Sequence, residues 1–238
     1  MEFKKIHAPS STDLFVDQLK TAILTGEYQV GDQLPSEREL EKQLGVSRAV
    51  ITAGLKRLQA LHFIDIKPRY GAFIADYRKT GNLLTMNEII NFHGGHYRIS
   101  LLRSIYRVRD QMESDIIRLA ARHQDCGALR ECRYALARLK NAETAPDQAE
   151  EYFSLMHALA VASGNDVYPL LVNNFRPIYL TLGRWTCENS HAQVFLQRTQ
   201  HLVDLIDQGA EGEAVAYNTT LVKDNYRLLS GQDDLNLE

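Results

Sequence analysis

Seven basic side chains crowd into residues 45–80: Arg48, Lys56, Arg57, Lys67, Arg69, Arg78 and Lys79, with only Asp65 and Asp76 against them. Guanidinium and ammonium groups gathered in this way suit the phosphate oxygens of a nucleic acid. The rest of the chain does not share the bias. Residues 1–80 carry 12 Lys and Arg against 10 Asp and Glu, the remainder 15 against 20, and the whole has a net charge of −3. A confined basic patch on an acidic protein fits a local nucleic-acid contact, although a solvated face would give the same count. Other chemistry is hard to assemble. There is no GxSxG, HExxH, P-loop or GxGxxG motif, and no spaced set of Cys and His. Cys126, Cys132 and Cys187 form no CxxC pair, and their odd number makes a poor disulfide framework, so they read as reduced, partly buried thiols. His93 and His96 flank Gly94-Gly95 and read as loop residues rather than ligands. No catalytic residue, metal ligand or cofactor is assigned, and an enzyme is the disfavoured reading.

Position depends on the elements around the patch. Thr12 or Ser11 is expected to cap a first helix with Phe15, Val16, Leu19, Ile23 and Leu24 at helical spacing, ended by Gly26. Ser36 with Glu39 three residues later makes a capping box, followed by Leu40 and Leu44 and a stop at Gly45. Ser47 is expected to cap a third helix, with Val50, Ile51, Leu55 and Leu58 inward and Arg48, Thr52, Lys56 and Arg57 outward. Two helices joined by a short Gly-containing turn, here Leu44-Gly45-Val46-Ser47, make a helix-turn-helix, whose second helix enters the major groove N-terminus first. The period then changes. Phe63–Ile66 and Ala72–Ile74 read as short strands joined by Lys67-Pro68-Arg69-Tyr70-Gly71, a basic hairpin tip able to lie along phosphates.

Hydrophobic residues make up 45% and charged residues 24% of the 238 positions, the mix of a globular protein. No apolar run approaches the roughly 18 residues of a membrane span, and MEFKKIHAPSSTD has no hydrophobic signal core; a cytoplasmic location without membrane association is expected. Residues 77–97 read as a linker with a short helix. From 98 onward only helical periodicity is visible, over about 98–123, 126–142, 147–163, 167–186, 190–208 and 211–229. The expected fold is mainly α: an N-terminal winged helix-turn-helix with a small β-hairpin wing over 1–76, then an antiparallel six- or seven-helix bundle over 98–230 and a tail at 231–238.

The segment LPSERELEKQLGVSRAVITAGLKRLQALHFIDIKPRYGAFIAD closely resembles the DNA-binding domain of GntR-family regulators. PSEREL, the GVSR turn and the RYGAFI wing follow in order at the family's spacing. The resemblance covers about residues 8–76 and implies double-stranded operator DNA as the partner. It makes Arg38 and Arg48 base readers, because arginine can bond both major-groove acceptors of guanine. Ser47 would contact phosphate while capping its helix, and Lys67, Arg69, Tyr70 and Gly71 would form the wing contact. Ala49 and Thr52 stand at DNA-facing positions where the family often has Thr and usually has Arg.

The later half is similar to the helical effector domain of the family's FadR-type branch, through RSIYRVRDQMESDIIRLAARH and ALAVASGNDVYPLLVNNFRPIYLTLGR. That resemblance implies a homodimer, with residues 98–230 serving dimerisation and effector binding. For a small-molecule effector it points to an acyl-CoA or another hydrophobic carboxylate. Arg109 matches an arginine in the ligand cavity of the branch's fatty-acid-responsive member, and Tyr179 matches another aromatic of that segment. Its cavity tyrosines correspond to Thr186 and Thr199, and a last-helix group to Val222, Asn225 and Leu229. Arg109 and Arg184 would pair an anionic headgroup; interhelical ion pairs with residues such as Glu113 are the alternative. Many members of the branch hold a divalent metal, but its ligand positions here carry Tyr152, Met156, Thr199 and Leu221, so no metal is expected. A helical domain that only dimerises, with a solid core around Arg109, is the rival reading.

Overall fold

The computed structural model describes residues 9–90, 92, 99–124, 126–189 and 192–231. The His93–His96 break and the tail beyond Gly231 lie outside the described residues. The chain divides into two compact units, Met1–Gly95 and His96–Glu238.

In the first unit α1 spans Ser11–Thr25. Its cap is Ser10, not Ser11 or Thr12. Ser10 Oγ accepts from Asp13 N at 3.1 Å, and the Asp13 carboxylate accepts from Ser10 N at 3.1 Å. Only Ser10 has an acidic residue three positions on, so only there does the reciprocal box close. Helix α2 (Glu37–Leu44) starts with the expected Ser36–Glu39 box and ends at Gly45, with φ +65°. Helix α3 (Arg48–Ala60) begins after Ser47, which holds the N-cap position although its hydroxyl makes no capping bond. The expected side-chain cap is therefore absent, and the Ser47 side chain is exposed.

Strands β1 (Ile64–Lys67) and β2 (Gly71–Ile74) pair antiparallel, with Ile64 opposite Ile74 and Lys67 opposite Gly71. The chain before α2 extends this ribbon: Leu34 N donates to Ala72 O and Ile74 N to Asp32 O, both at 2.9 Å. The hairpin turn uses a positive φ at Arg69 (+69°) as well as at Gly71 (+105°). An arginine in that region carries backbone strain of the kind that gathers at functional sites. The core beneath is built from α1, α3 and the hairpin, with Val16, Ile51, Leu58, Phe63 and Ile64 fully inaccessible.

Residues 77–90 pack onto this unit as two short helices, α4 (Tyr77–Thr80) and α5 (Leu83–Ile90). Asn82 Oδ1 accepts from Leu84 N at 2.9 Å, Thr85 Oγ1 donates to Leu61 O at 2.9 Å, and Lys20 Nζ bonds Glu88 at 2.7 Å. The stretch read as linker is tied side chain by side chain to α1 and to the end of α3.

The second unit holds, among the described residues, seven helices: α6 (Ile99–His123), α7 (Cys126–Asn141), α8 (Ala145–Ala162), α9 (Tyr168–Asn174), α10 (Arg176–Asn189), α11 (Ala192–Asp207) and α12 (Glu211–Ser230). Helix α6 packs along α12, and α8 lies between α7 and α10. The single segment expected over 167–186 is two helices. Pro177 lacks the N–H that would donate to the Asn173 carbonyl four residues back, and its ring crowds that carbonyl, so the helical run is interrupted at Phe175. No described helix is long and apolar enough to cross a membrane.

Candidate nucleic-acid interface and effector site

Helix α3 is anchored by Ile51, Leu55 and Leu58, which leaves its opposite face open. Arg48, Ala49, Thr52, Ala53 and Lys56 line a concave surface of about 480 Å³ on that face. Arg48 and Ala49 are exposed and Thr52 half-buried. Arg38 is exposed on the first turn of α2. Neighbouring Glu37 takes one bond from Arg48 Nε at 3.4 Å and another from Thr52 Oγ1 at 3.0 Å. At the hairpin tip Lys67, Arg69, Tyr70 and Gly71 are all exposed. Lys67 Nζ stands 4.7 Å from the centroid of the Phe73 ring. The tip is also held from outside, since Gln33 Nε2 donates to Tyr70 O at 2.6 Å. Sequence reading missed Glu37 and Gln33, and placed Lys56 in the basic patch on the outward face of α3 without giving it a role of its own. Lys56 was legible, four positions after Thr52 on one helix face. Glu37 and Gln33 act across tertiary contacts that no spacing rule announces.

Within the second unit, Arg109, Tyr152, Tyr179, Leu182, Gly183, Thr186, Phe195 and Asn225 surround one pocket. Four expected effector residues thus come together: Arg109, Tyr179, Thr186 and Asn225. Two do not. Arg184 turns outward and pairs with Glu188 at 2.8 Å, its side chain 60% exposed. The buried face of α10 runs Ile178, Tyr179, Leu182, Thr186, and position 184 falls off that face. Thr199 is buried but outside the pocket lining, its hydroxyl donating to Phe195 O at 2.9 Å. Sequence reading missed Phe195 and passed over Tyr152 as a lining residue, having weighed it only as a vacant metal position.

The pocket is nearly closed. Only about 10 Å³ is open to the centre of a water molecule, about enough for a single water. Aromatic rings fill the rest, with Tyr152 and Phe195 centroids 5.3 Å apart. Arg109 is 4% exposed and Glu113 fully inaccessible, with Arg109 Nε donating to Glu113 Oε1 at 2.9 Å. This is an ion pair within one helix rather than between helices. Tyr179 Oη donates to the same oxygen at 2.7 Å, and the guanidinium lies 4.7 Å from the centroid of the Tyr179 ring. Burial opposes a charge on Arg109 more than any one neighbour favours it, but the Glu113 carboxylate together with Tyr179, Tyr106 and Tyr152 outweighs burial, and its pKa is raised. Burial, then the same carboxylate, pushes Tyr179 and Tyr152 up, so both phenols stay protonated. Glu113 Oε2 and Asn218 Nδ2 are buried with no hydrogen-bond partner among the described residues.

Residues 14–74 match the family described as bacterial regulatory proteins, gntR family. Residues 75–228 match the FadR C-terminal domain. The chain belongs to the FadR-type branch of the gntR family. Its relatives in this family include the HTH-type transcriptional regulator Mce2R of Mycobacterium tuberculosis, 29% identical over 163 residues, 68% of each chain. The fatty acid metabolism regulator protein of Yersinia pestis is 26% identical over 193 residues, covering 79% of this chain and 77% of that one. A solved structure of Lar, which controls expression of the Listeria monocytogenes agr system, shares the fold: TM-score 0.61 at 12% identity, covering 95% of this chain and 99% of that one. These relatives are transcription regulators, not enzymes, which places this FadR-type chain among regulators as well.

The metal that many FadR-type proteins hold does not fit here. Tyr152 is buried and protonated, Met156 is fully inaccessible, and Thr199 spends its hydroxyl inside its own helix. Leu221 offers no donor. Among the described residues no three His, Cys, Asp or Glu stand close enough together to hold a metal ion. His157 instead flanks Phe153, and His201 meets the Tyr217 ring edge-on.

Proposed function

We propose that this regulator binds operator DNA as a homodimer, placing α3 of each protomer in a major groove and the 67–71 hairpin tip against the neighbouring backbone. The observation that carries the reading is the open face of α3, with Arg48, Thr52 and Lys56 standing clear of the core. Arg38 and Arg48 serve as base readers and the tip cations as phosphate contacts. Two heads on a pseudo-palindromic site put half-site centres about one helical turn apart or somewhat less.

Effector control acts at the Arg109 pocket. Glu113 Oε2, buried beside Arg109 with no hydrogen-bond partner among the described residues, favours a guest that brings a hydrogen-bond donor there. A hydrophobic carboxylate or acyl-CoA reaches Arg109 only by displacing Glu113 from it and parting the Tyr152–Phe195 contact. Such a ligand must therefore select an opened state of the helical domain, and it changes DNA affinity only if it binds the two states unequally. The closed core supports a second reading, a dimeric regulator that needs no effector.

One titration separates the two: operator binding by the full chain at fixed salt, with and without a long-chain acyl-CoA. Release of DNA on addition supports the acyl-CoA reading. Tight binding that ignores it removes acyl-CoA as effector and leaves the DNA-binding function standing.

A further inference from the structure

The solvent face of α3 carries few polar side chains. Of the residues lining its concavity, only Arg48, Thr52 and Lys56 have side chains that can bond a base or a phosphate, since the other two are alanines. One carboxylate oxygen holds two of those three. Glu37 Oε2 accepts from Thr52 Oγ1 at 3.0 Å and from Arg48 Nε at 3.4 Å. Glu37 belongs to α2, across the helix-turn-helix from the residues it holds.

Folding gives no strong reason for this arrangement. The Arg48 side chain is 79% exposed, and exposed ion pairs add little to stability. Geometry gives a better one. Glu37 takes the Nε edge of Arg48, which leaves the two Nη groups free, and a guanidinium presents two parallel donors to guanine O6 and N7. An unrestrained arginine samples many rotamers and must give them up on docking. An arginine already held by a neighbouring carboxylate has fewer to lose.

We infer that Glu37 is a positioning residue for DNA readout: it orders Arg48 and Thr52 on the recognition helix before DNA arrives and so sharpens base preference at the Arg48 contact. The inference rests on the reading of Arg48 as a base reader. The Glu37 carboxylate is also a like charge to phosphate. It therefore holds back non-specific binding while favouring the correct base.

The test selects binding sites from a pool of random DNA duplexes with the purified full chain, then measures Kd on the selected duplex and on a scrambled one at fixed salt. Glu37→Gln removes the charge. Glu37→Asp keeps the charge at the start of α2 but shortens the reach by one methylene. Both should lower the ratio of specific to non-specific affinity by about 2- to 12-fold per head, the equivalent of ordering one long side chain, and hence by about 5- to 140-fold for a dimer on two half-sites. Both should blur the selected motif at one base pair of each half-site, the same pair that Arg48→Ala blurs, with melting temperatures unchanged. If Arg48→Ala degrades the motif while both Glu37 variants select and bind as the parent does, Glu37 positions nothing. If Arg48→Ala itself leaves the motif intact, the base-reader assignment falls and takes this inference with it.

Discussion

Arg109 and Glu113 place opposite charges where water does not reach, and the value of each depends on the other. Removing one strands the other in a low-dielectric core, which typically costs about 3–5 kcal/mol, whereas replacing both by apolar groups of similar volume is often neutral. Glu113→Ala should therefore destabilise the chain by about that amount in urea denaturation. Arg109→Met combined with Glu113→Leu should recover most of the loss, and a double variant no better than the single would show that the pair holds the helices by shape rather than charge. A second expectation concerns Cys132. Burial, with a smaller push from Asp207, raises its thiol from 9.0 to about 12. Its folded pKa thus lies above its unfolded one, and the stabilisation, complete below pH 9, is lost as pH rises toward 12. Cys132→Ala should flatten the alkaline limb of a stability–pH profile, and an unchanged limb would assign it to other groups, such as Tyr106, which burial raises to about 12.

At the level of elements, the helix-turn-helix depends on how closely α1 crosses α3. Gly54 makes that approach possible, because a methyl group there would overlap the Phe15 ring. Phe15 is 5% exposed and has little room to move. Gly54→Ala, usually favourable inside a helix, should instead destabilise the first unit by about 1–3 kcal/mol through overpacking. Thermal melting decides the sign, and a rise would mean that the Phe15 ring can turn aside. The same sequence position is poor evidence by itself, since a glycine within a helical pattern carries no sign of what lies against it.

For the molecule as a whole, a net charge of −3 leaves DNA attraction to the cations of the recognition helix and hairpin tip. Binding should therefore weaken steeply with salt, with a slope of about −0.9 per phosphate neutralised. Lys67→Ala should reduce that slope by about one per head, hence about two for a dimer on two half-sites. A change near one would indicate a single engaged head, and no change would take Lys67 out of the phosphate contacts.

The sequence was informative where the physics is local. The Ser36–Glu39 box, the Gly45 stop, the inward run of Ile51, Leu55 and Leu58, and the hairpin tip each follow from neighbours within a few residues. So does the buried face of α10, which already places Arg184 outside the pocket where it was expected to pair an anionic headgroup. The Arg109–Glu113 spacing of four was also visible, but not its burial, nor the Tyr179 hydroxyl that joins it from another helix. The hold of Glu37 on Arg48, 11 residues away, and the closing of the pocket by Tyr152 and Phe195 were decided by tertiary structure alone. Backbone propensity and helical period act over one or two turns, whereas these contacts depend on which faces of separate helices meet, and burial of the whole core fixes that.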